Sequence, residues 1–226
     1  MASDTISVCL PKGNPMNPLA GYFEKTGFPV CEYHSQNRTY RPAVDNLPVR
    51  AKIMAEKDVP IQVSIGNYDI GFSGLDWIKE LTTKYRGSDI HIFKYLGLDQ
   101  KGIYACTGVN GNFNSVQDLH KKNGFITIVS EYPNLAEHFA IQNRLRKFKI
   151  FSAWGSVEAY PPEHADVVIL SAYNPESLSS MGLCNISCEL ESELTLIINR
   201  KSFIQKGLST VLKFFSDSVN SSGEST

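Results

Sequence analysis

Cysteine is scarce in this chain: Cys9, Cys31, Cys106, Cys184 and Cys188 are an odd, scattered set among 226 residues. Such usage excludes a disulfide-stapled secreted module and points to reduced thiols. Cys184 and Cys188 stand in CxxxC spacing, but no second pair or nearby His completes a zinc set. Excess charge is lacking too. With 22 basic against 23 acidic residues the net charge is −1, whereas a nucleic-acid binder usually shows a basic excess. The densest basic stretch, Arg144 to Lys149, is interleaved with apolar residues and reads as the solvated face of a helix end. No run approaches the roughly 18 apolar residues of a membrane span, and the segment before Pro11 has no basic leader region. A cytoplasmic protein without nucleic-acid or membrane partners is expected. Sixteen Gly and eleven Pro are ordinary usage, which excludes a collagenous or low-complexity chain. The five His show no ligand spacing, no metal-ligating set is evident, and P-loop, G-x-G-x-x-G and G-x-S-x-G motifs are missing.

What is present is a folding pattern. Hydrophobic residues make up 42% of the chain, and a chain of this length buries roughly 70% of its unfolded surface. Apolar runs at 5–10, 51–55, 68–72, 91–96, 102–107, 125–130, 148–154, 167–172 and 189–199 read as strands. Between them lie helical stretches at 19–26, 57–66, 76–84, 115–121 (capped by Ser115), 133–143 and 156–159, with a closing helix at 204–215. The Ser-rich end, 216–226, is expected to be disordered. Strand–turn–helix alternation predicts an α/β fold with a largely parallel sheet.

Three strand-to-helix turns carry small or phosphate-friendly residues: Pro11-Lys12-Gly13, Gly71-Phe72-Ser73-Gly74 and Gly155-Ser156-Val157-Glu158. Each offers backbone N–H groups and a hydroxyl or ammonium near a helix start, where anions bind well. Together, at the carboxyl ends of parallel strands, they predict a cleft for a phosphorylated or anionic ligand. Asp69, Asp76, Glu158 and Asp166 flank these turns and could hold a ribose hydroxyl or a hydrated magnesium ion. Asp76 also reads as a helix N-cap, and Asp166 as a surface group. Trp77, Trp154 and Tyr173 could stack a ring, although core packing is the commoner role.

In order along the chain, Leu10-Pro11-Lys12-Gly13, Asp58-Val59-Pro60, Gly66 to Asp76, Ser130 to Leu135, Gly155 to Pro161, Ala165-Asp166 and Gly182-Leu183 resemble the catalytic part of ATP phosphoribosyltransferases, over about residues 5–205. The resemblance implies an α/β, two-lobed fold like a type II periplasmic binding protein, with the ligand cleft between lobes. Lobes of 1–95 plus 185–215 and of 96–184 are expected. It further implies transfer of the phosphoribosyl group of 5-phosphoribosyl 1-diphosphate to N1 of ATP, the first step of histidine biosynthesis, with magnesium accompanying the phosphorylated substrates. The ligands implied are ATP or AMP and the sugar diphosphate. The partners implied are a regulatory subunit related to histidyl-tRNA synthetase, as in the short family form, and a second copy in a homodimer. Lys12, Gly13, Asp69, Gly71, Ser73, Gly74, Asp76, Tyr132, Pro133, Ser156 and Glu158 are the ligand-binding residues it implies.

The chain departs from that pattern at one place above all. Where the family has an Asp followed by a Ser-Thr-Gly-x-Thr-Leu phosphate loop, this sequence has Leu170, then Tyr173, Asn174, Pro175, Glu176, Ser177 and Leu178. Pro175 removes a donor and the positive φ that Gly allows. At about 4 Å and an effective dielectric near 20, Glu176 would repel a phosphate by roughly 4 kcal/mol per charge. Arginines expected by resemblance are replaced by Asn14 and Ala55. A non-catalytic sensor or regulatory pseudoenzyme for a nucleotide or anionic small molecule is the alternative, and a transferase for another acceptor or sugar donor a third.

Overall fold

The computed structural model describes residues 5–216. The chain runs through β1 (Ile6–Lys12), α1 (Met16–Thr26), β2 (Val49–Ala55), α2 (Asp58–Ser64), β3 (Ile70–Gly74), α3 (Leu75–Lys84), β4 (Ile90–Tyr95) and β5 (Lys101–Gly108). It continues through α4 (Val116–Leu119), β6 (Ile126–Ser130), α5 (Pro133–Gln142), β7 (Phe148–Ser152), a 3₁₀ turn (Val157–Ala159) and β8 (Val167–Ala172). It closes with α6 (Glu176–Ser180), β9 (Leu183–Ser192), β10 (Leu194–Asn199), α7 (Arg200–Gln205) and α8 (Ser209–Leu212).

Two five-stranded sheets result, ordered β2-β1-β3-β10-β4 and β7-β6-β8-β5-β9. In the first, β1 pairs in parallel with β2 and β3. In the second, β6 is parallel to β7 and β8, but β5 is antiparallel to both β8 and β9. The second sheet is therefore mixed, which corrects the expectation of largely parallel pairing.

The elements follow from local chemistry. Strand β8 has an almost unbroken apolar run and is buried along nearly its whole length, as a central strand must be. Helix α1 ends on Gly27, whose φ of 69° lets its N–H reach the carbonyls of Phe23 and Glu24. Ser115 caps α4 by accepting the Asp118 amide, and Asp118 accepts the Ser115 hydroxyl in return.

The chain divides into two compact units. One runs through Phe72, takes in Asp89–Lys94 and resumes at Leu196; the other holds Ser73–Ser88 and Tyr95–Thr195. The first unit has an aromatic core in which Phe23 meets Phe28, Tyr33, Phe72 and Phe215 at centroid distances of 5.1 to 6.0 Å. The core of the second is built on Ile103, Ile128, Phe139, Val167 and Ile169, with Trp77 packed against it. Helix α3 belongs here because it packs on α5: the Glu80 carboxylate accepts the amides of Asn134 and Leu135, both at 2.9 Å.

Four local expectations are corrected. Helix α1 starts at Met16 rather than 19, with Pro15 and Pro18 tolerated around its first turn. Strand β9 begins at Leu183, and Glu193 separates it from β10, so 189–199 is not one strand. The closing helix is two helices, because Lys206 is extended (φ −120°, ψ 150°) and Gly207 follows. Finally, Arg146 and Lys147 lie in the connection from α5 to β7, not on a helix end. Of the expected tail, all but Ser216 lies outside the described residues.

Candidate functional site

In the first unit, β1 delivers Lys12 and Gly13 to the rim of a cavity of about 700 Å³. Gly13 has a φ of 101°, a conformation that side chains disfavour, and it turns the chain from β1 toward α1. The Lys12 ammonium lies 3.3 Å from the Tyr40 hydroxyl and 5.3 Å from that ring's centroid. Asn14, Asn17, Ser35, Asn37, Arg38 and Thr39 complete the polar wall, and no carboxylate lines the cavity. Two cations, three side-chain amides and hydroxyls make a lining suited to a phosphorylated ligand. Arg38 and Tyr40 escaped the sequence reading because they lie in the irregular segment before β2, where no periodicity marks them. Asn14, noted only as a missing arginine, lines the same cavity as Arg38.

Asp69 and Gly71 sit on the same sheet but inside the fold. Asp69 is 1% exposed. Its Oδ2 accepts the Ser7 amide at 2.7 Å, and the Lys206 ammonium reaches its two oxygens at 2.9 and 3.0 Å. Burial raises its carboxyl, but hydrogen bonds from Ser202, the Ser7 amide and Lys206 outweigh it and leave the group below the usual carboxylate range. A Cβ on Gly71 would lie 2.7 and 2.8 Å from methyls of Val63 and Val59, so close packing of α2 on β3 requires the glycine.

In the second unit Ser73 and Gly74 are buried, and Gly74 occupies the N-cap position of α3. Asp76 is not the cap. It lies in the first turn, fully buried, and forms the centre of a polar cluster. Its oxygens accept the Ser192 hydroxyl and the Tyr132 hydroxyl, each at 2.8 Å, and the Lys101 ammonium lies at 3.3 Å. Lys101 also faces Asp99 at 3.8 Å, and Asp99 accepts the Tyr173 hydroxyl at 2.9 Å. The sequence offered no sign of this chain, whose members come from six separate elements and loops.

Tyr132 and Pro133 open α5. Pro133 has no N–H, and the next two amides are held by Glu80, whose carboxyl burial raises despite these bonds. The start of the helix that carries Tyr132 and Pro133, which the resemblance implies as ligand-binding residues, is thus filled by an internal carboxylate. Ser156 and Gly155 both have positive φ, 52° and 87°, and the Gly155 amide is held by Glu131 at 2.6 Å. Ser156 is exposed and Glu158 is half-buried beside the 3₁₀ turn.

The divergent segment is a self-satisfied turn. Leu170 is a buried strand residue in the second unit's core. Asn174 Oδ1 accepts the Ser177 amide at 2.8 Å, and the Ser177 hydroxyl donates to the Asn174 carbonyl at 2.7 Å. Pro175 and Glu176 then start α6, with Glu176 exposed. Its charge is screened by water, so the repulsion expected from it falls to about 1 kcal/mol at 4 Å. Of the ring-stacking candidates, Trp77 lies against Tyr132 at 4.4 Å, while Trp154 and Tyr173 are 64% and 60% exposed. Among the described residues, no three His, Cys, Asp or Glu side chains gather as a metal site.

Comparison with known proteins bears on the whole arrangement. Residues 55–217 match the family model described as HisG, ATP phosphoribosyltransferase. ATP phosphoribosyltransferases from Chlorobium chlorochromatii and Prosthecochloris aestuarii are 27% and 26% identical over 194 residues, which is 86% of this chain. The chain spans 63% of the length of each. The ATP phosphoribosyl transferase (HisG:HisZ) complex from Thermotoga maritima contains a chain that superposes with a TM-score of 0.73 at 17% identity, over 93% of this chain and 94% of that one. The alkanesulfonate-binding protein SsuA from Xanthomonas axonopodis pv. citri, bound to MOPS, matches with a TM-score of 0.55 at 10% identity, over 95% of this chain and 73% of that one. The fold is the α/β type II periplasmic-binding-protein-like one that the sequence led us to expect, and the chain belongs to the ATP phosphoribosyltransferase family.

Proposed function

We propose that this protein transfers the phosphoribosyl group of 5-phosphoribosyl 1-diphosphate to N1 of ATP, releasing diphosphate, as a cytoplasmic enzyme of histidine biosynthesis. Family membership supports the reaction. The observation that carries the assignment to residues is the acid-free cavity beside Lys12, Gly13, Arg38 and Tyr40. In such a displacement the protein does little covalent chemistry; it holds the two reactants in line and compensates charge that builds on the departing diphosphate. Lys12 and Arg38 supply that compensation, and Asn14 and Asn17 direct the phosphate oxygens. Asp69, Gly71, Ser73, Gly74 and Asp76 act from behind, by fixing the strand ends. Ser156 and Glu158 stay in this proposal as the ligand-binding residues that the resemblance implies. The cavity holds no carboxylate, so its lining does not fit a resident magnesium ion; in this proposal the metal enters as part of the substrate, on its phosphates.

A regulatory subunit related to histidyl-tRNA synthetase and a second copy of this chain are the partners in this proposal. The HisG:HisZ assembly of Thermotoga maritima supports the first. The cytoplasmic placement is supported by the finding that, among the described residues, no helix is long and apolar enough to cross a membrane.

Calorimetric titration of the sugar diphosphate with magnesium, and of ATP in parallel, tests the proposal. Both should bind, and Lys12→Ala or Arg38→Ala should each weaken the sugar diphosphate by about tenfold or more. The turn at Asn174–Ser177 favours the second reading, a non-catalytic sensor, since its own side chain holds the Ser177 amide. Heat from ATP alone would support that reading. Affinity for the sugar diphosphate gained by the triple change Asn174→Thr, Pro175→Gly, Glu176→Ala would then trace the loss to this turn.

A further inference from the structure

The basic stretch at Arg144–Lys149 has a place in the fold that phosphoribosyl transfer does not use. Arg146 and Lys147, with His120, Lys122 and the Gly124 backbone, line a cavity of about 210 Å³ in the second unit. It opens where β6 and β7 begin: Ile126 starts β6 by donating its amide to the Lys147 carbonyl at 2.9 Å. The turns that follow β6 and β7, with Tyr132 and Ser156, leave from the other ends of the strands, about 16 Å away for five residues of strand.

Every charged side chain that lines this cavity is basic. Lys122 is anchored by Asp166, at 2.6 and 2.7 Å, and Asp166 is further fixed by the Thr127 amide. His120, Arg146 and Lys147 make no side-chain hydrogen bond or ion pair among the described residues. The chain as a whole carries 23 acidic residues, yet among the described residues the one carboxylate paired with a lining cation is Asp166, on Lys122. Arg146 and Lys147, unpaired beside the Lys122–Asp166 pair, repel one another, and an anion placed between them relieves the repulsion. Of the lining residues Gly124 has a positive φ, 123°. An added Cβ at Gly124 would meet nothing within 4 Å, so the glycine serves the bend and not the space.

We infer that this cavity is a binding site for a small oxyanion of the phosphate class. Its size selects the ligand. At about 30 Å³ of liquid volume per water it holds some seven waters' worth of space, which suits one phosphate with part of its hydration. Nucleotide-sized ligands need pockets of about 300 Å³ or more. The guanidinium of Arg146 provides paired donors for two oxygens, and Lys147, Lys122 and His120 supply the others.

Inorganic phosphate is the probe, titrated into the full ¹⁵N-labelled chain and followed by amide chemical shifts. Saturable shifts are expected at residues 120–126 and 145–148. The double change Arg146→Ala, Lys147→Ala should weaken them by on the order of thirtyfold, the combined effect of two exposed cations. Both residues are exposed, so the variant's melting temperature should match that of the parent. Lys12→Ala should leave the same shifts untouched, which separates this site from the substrate cavity. Raising NaCl should weaken binding as the Debye length shrinks. Shifts confined to the neighbourhood of Lys12, affinity unchanged in the double variant, or no saturable shift at all would overturn the inference.

Discussion

Asp69 and Glu80 are both buried carboxylates, 1% and 8% exposed, yet their titration moves in opposite directions. For Asp69 the bonds from Ser202, the Ser7 amide and Lys206 outweigh burial, and its carboxyl lies below the ordinary value of 3.8. The unfolded chain then takes up the proton first. Stability from this group is fully present above 3.8 and is lost as pH falls through the lower folded value. Lys206→Met removes one of those bonds, so acid unfolding should begin at higher pH, as fluorescence or circular dichroism across pH 2–5 would record. For Glu80 burial outweighs the amides of Asn134 and Leu135, and its carboxyl is raised above 4.5. The folded state holds the proton longer, so stability declines as pH rises from 4.5 through the raised value. Glu80→Gln should abolish that decline while keeping one acceptor. Glu80→Ala, which leaves both amides without it, should cost about 2 kcal/mol in urea unfolding. Neither role was legible in the sequence: Asp69 stood out as a turn residue and Glu80 not at all, because each is defined by partners more than fifty residues away.

At the scale of elements, the sequence was most readable where one local rule governed the whole segment. Strand β8 occupies the expected 167–172 because its apolar run is continuous, and Ser115 caps α4 as its position before a short amphipathic stretch implies. Strand β9 was half hidden for a physical reason. Its pairing with β5 is interrupted by register shifts at Ile103/Tyr104 and Ala105/Cys106, and bulges break the alternation that marks a strand. The closing helix was misread because Leu208, Val211, Leu212 and Phe215 do keep helical spacing. The signals against a single helix were present in Asn199, which caps α7 through the Ser202 amide, and in Gly207. The turn into α6 was singled out by resemblance alone, and only coordinates reveal that it caps itself. Asn174→Ala should release the Ser177 amide, raising its hydrogen-exchange rate severalfold and destabilising the protein by about 1 kcal/mol. Unchanged exchange at Ser177 would mean that the capping bond contributes nothing in solution.

For the whole molecule the main consequence is that neither unit is a continuous piece of chain. The chain passes from one to the other four times, within β3, β4 and β10 at Phe72/Ser73, Lys94/Tyr95 and Thr195/Leu196, and just before β4 at Ser88/Asp89. The first sheet has β10 between β3 and β4, and all six residues of β10 are buried. Sequence patterning marked the apolar segments but not this insertion, since the order of strands in a sheet is set by contacts far apart in the chain. The expected first lobe, 1–95 with 185–215, already drew on both ends of the sequence. A fragment of residues 1–95 therefore contains four of the first sheet's five strands and lacks one that lies inside it. Without β10, one edge each of β3 and β4 is left unpaired, and the buried surface that Leu196, Ile197 and Ile198 cover is open to water. Three such side chains are worth about 1.5–3 kcal/mol each when fully buried, a loss comparable to the net stability of a domain. The fragment should show no cooperative thermal transition by circular dichroism and little amide-shift dispersion. Adding a peptide of residues 194–216, which carries β10, α7 and α8, should restore both, and a fragment that melts cooperatively without it would mean that the first unit closes its sheet by another strand order.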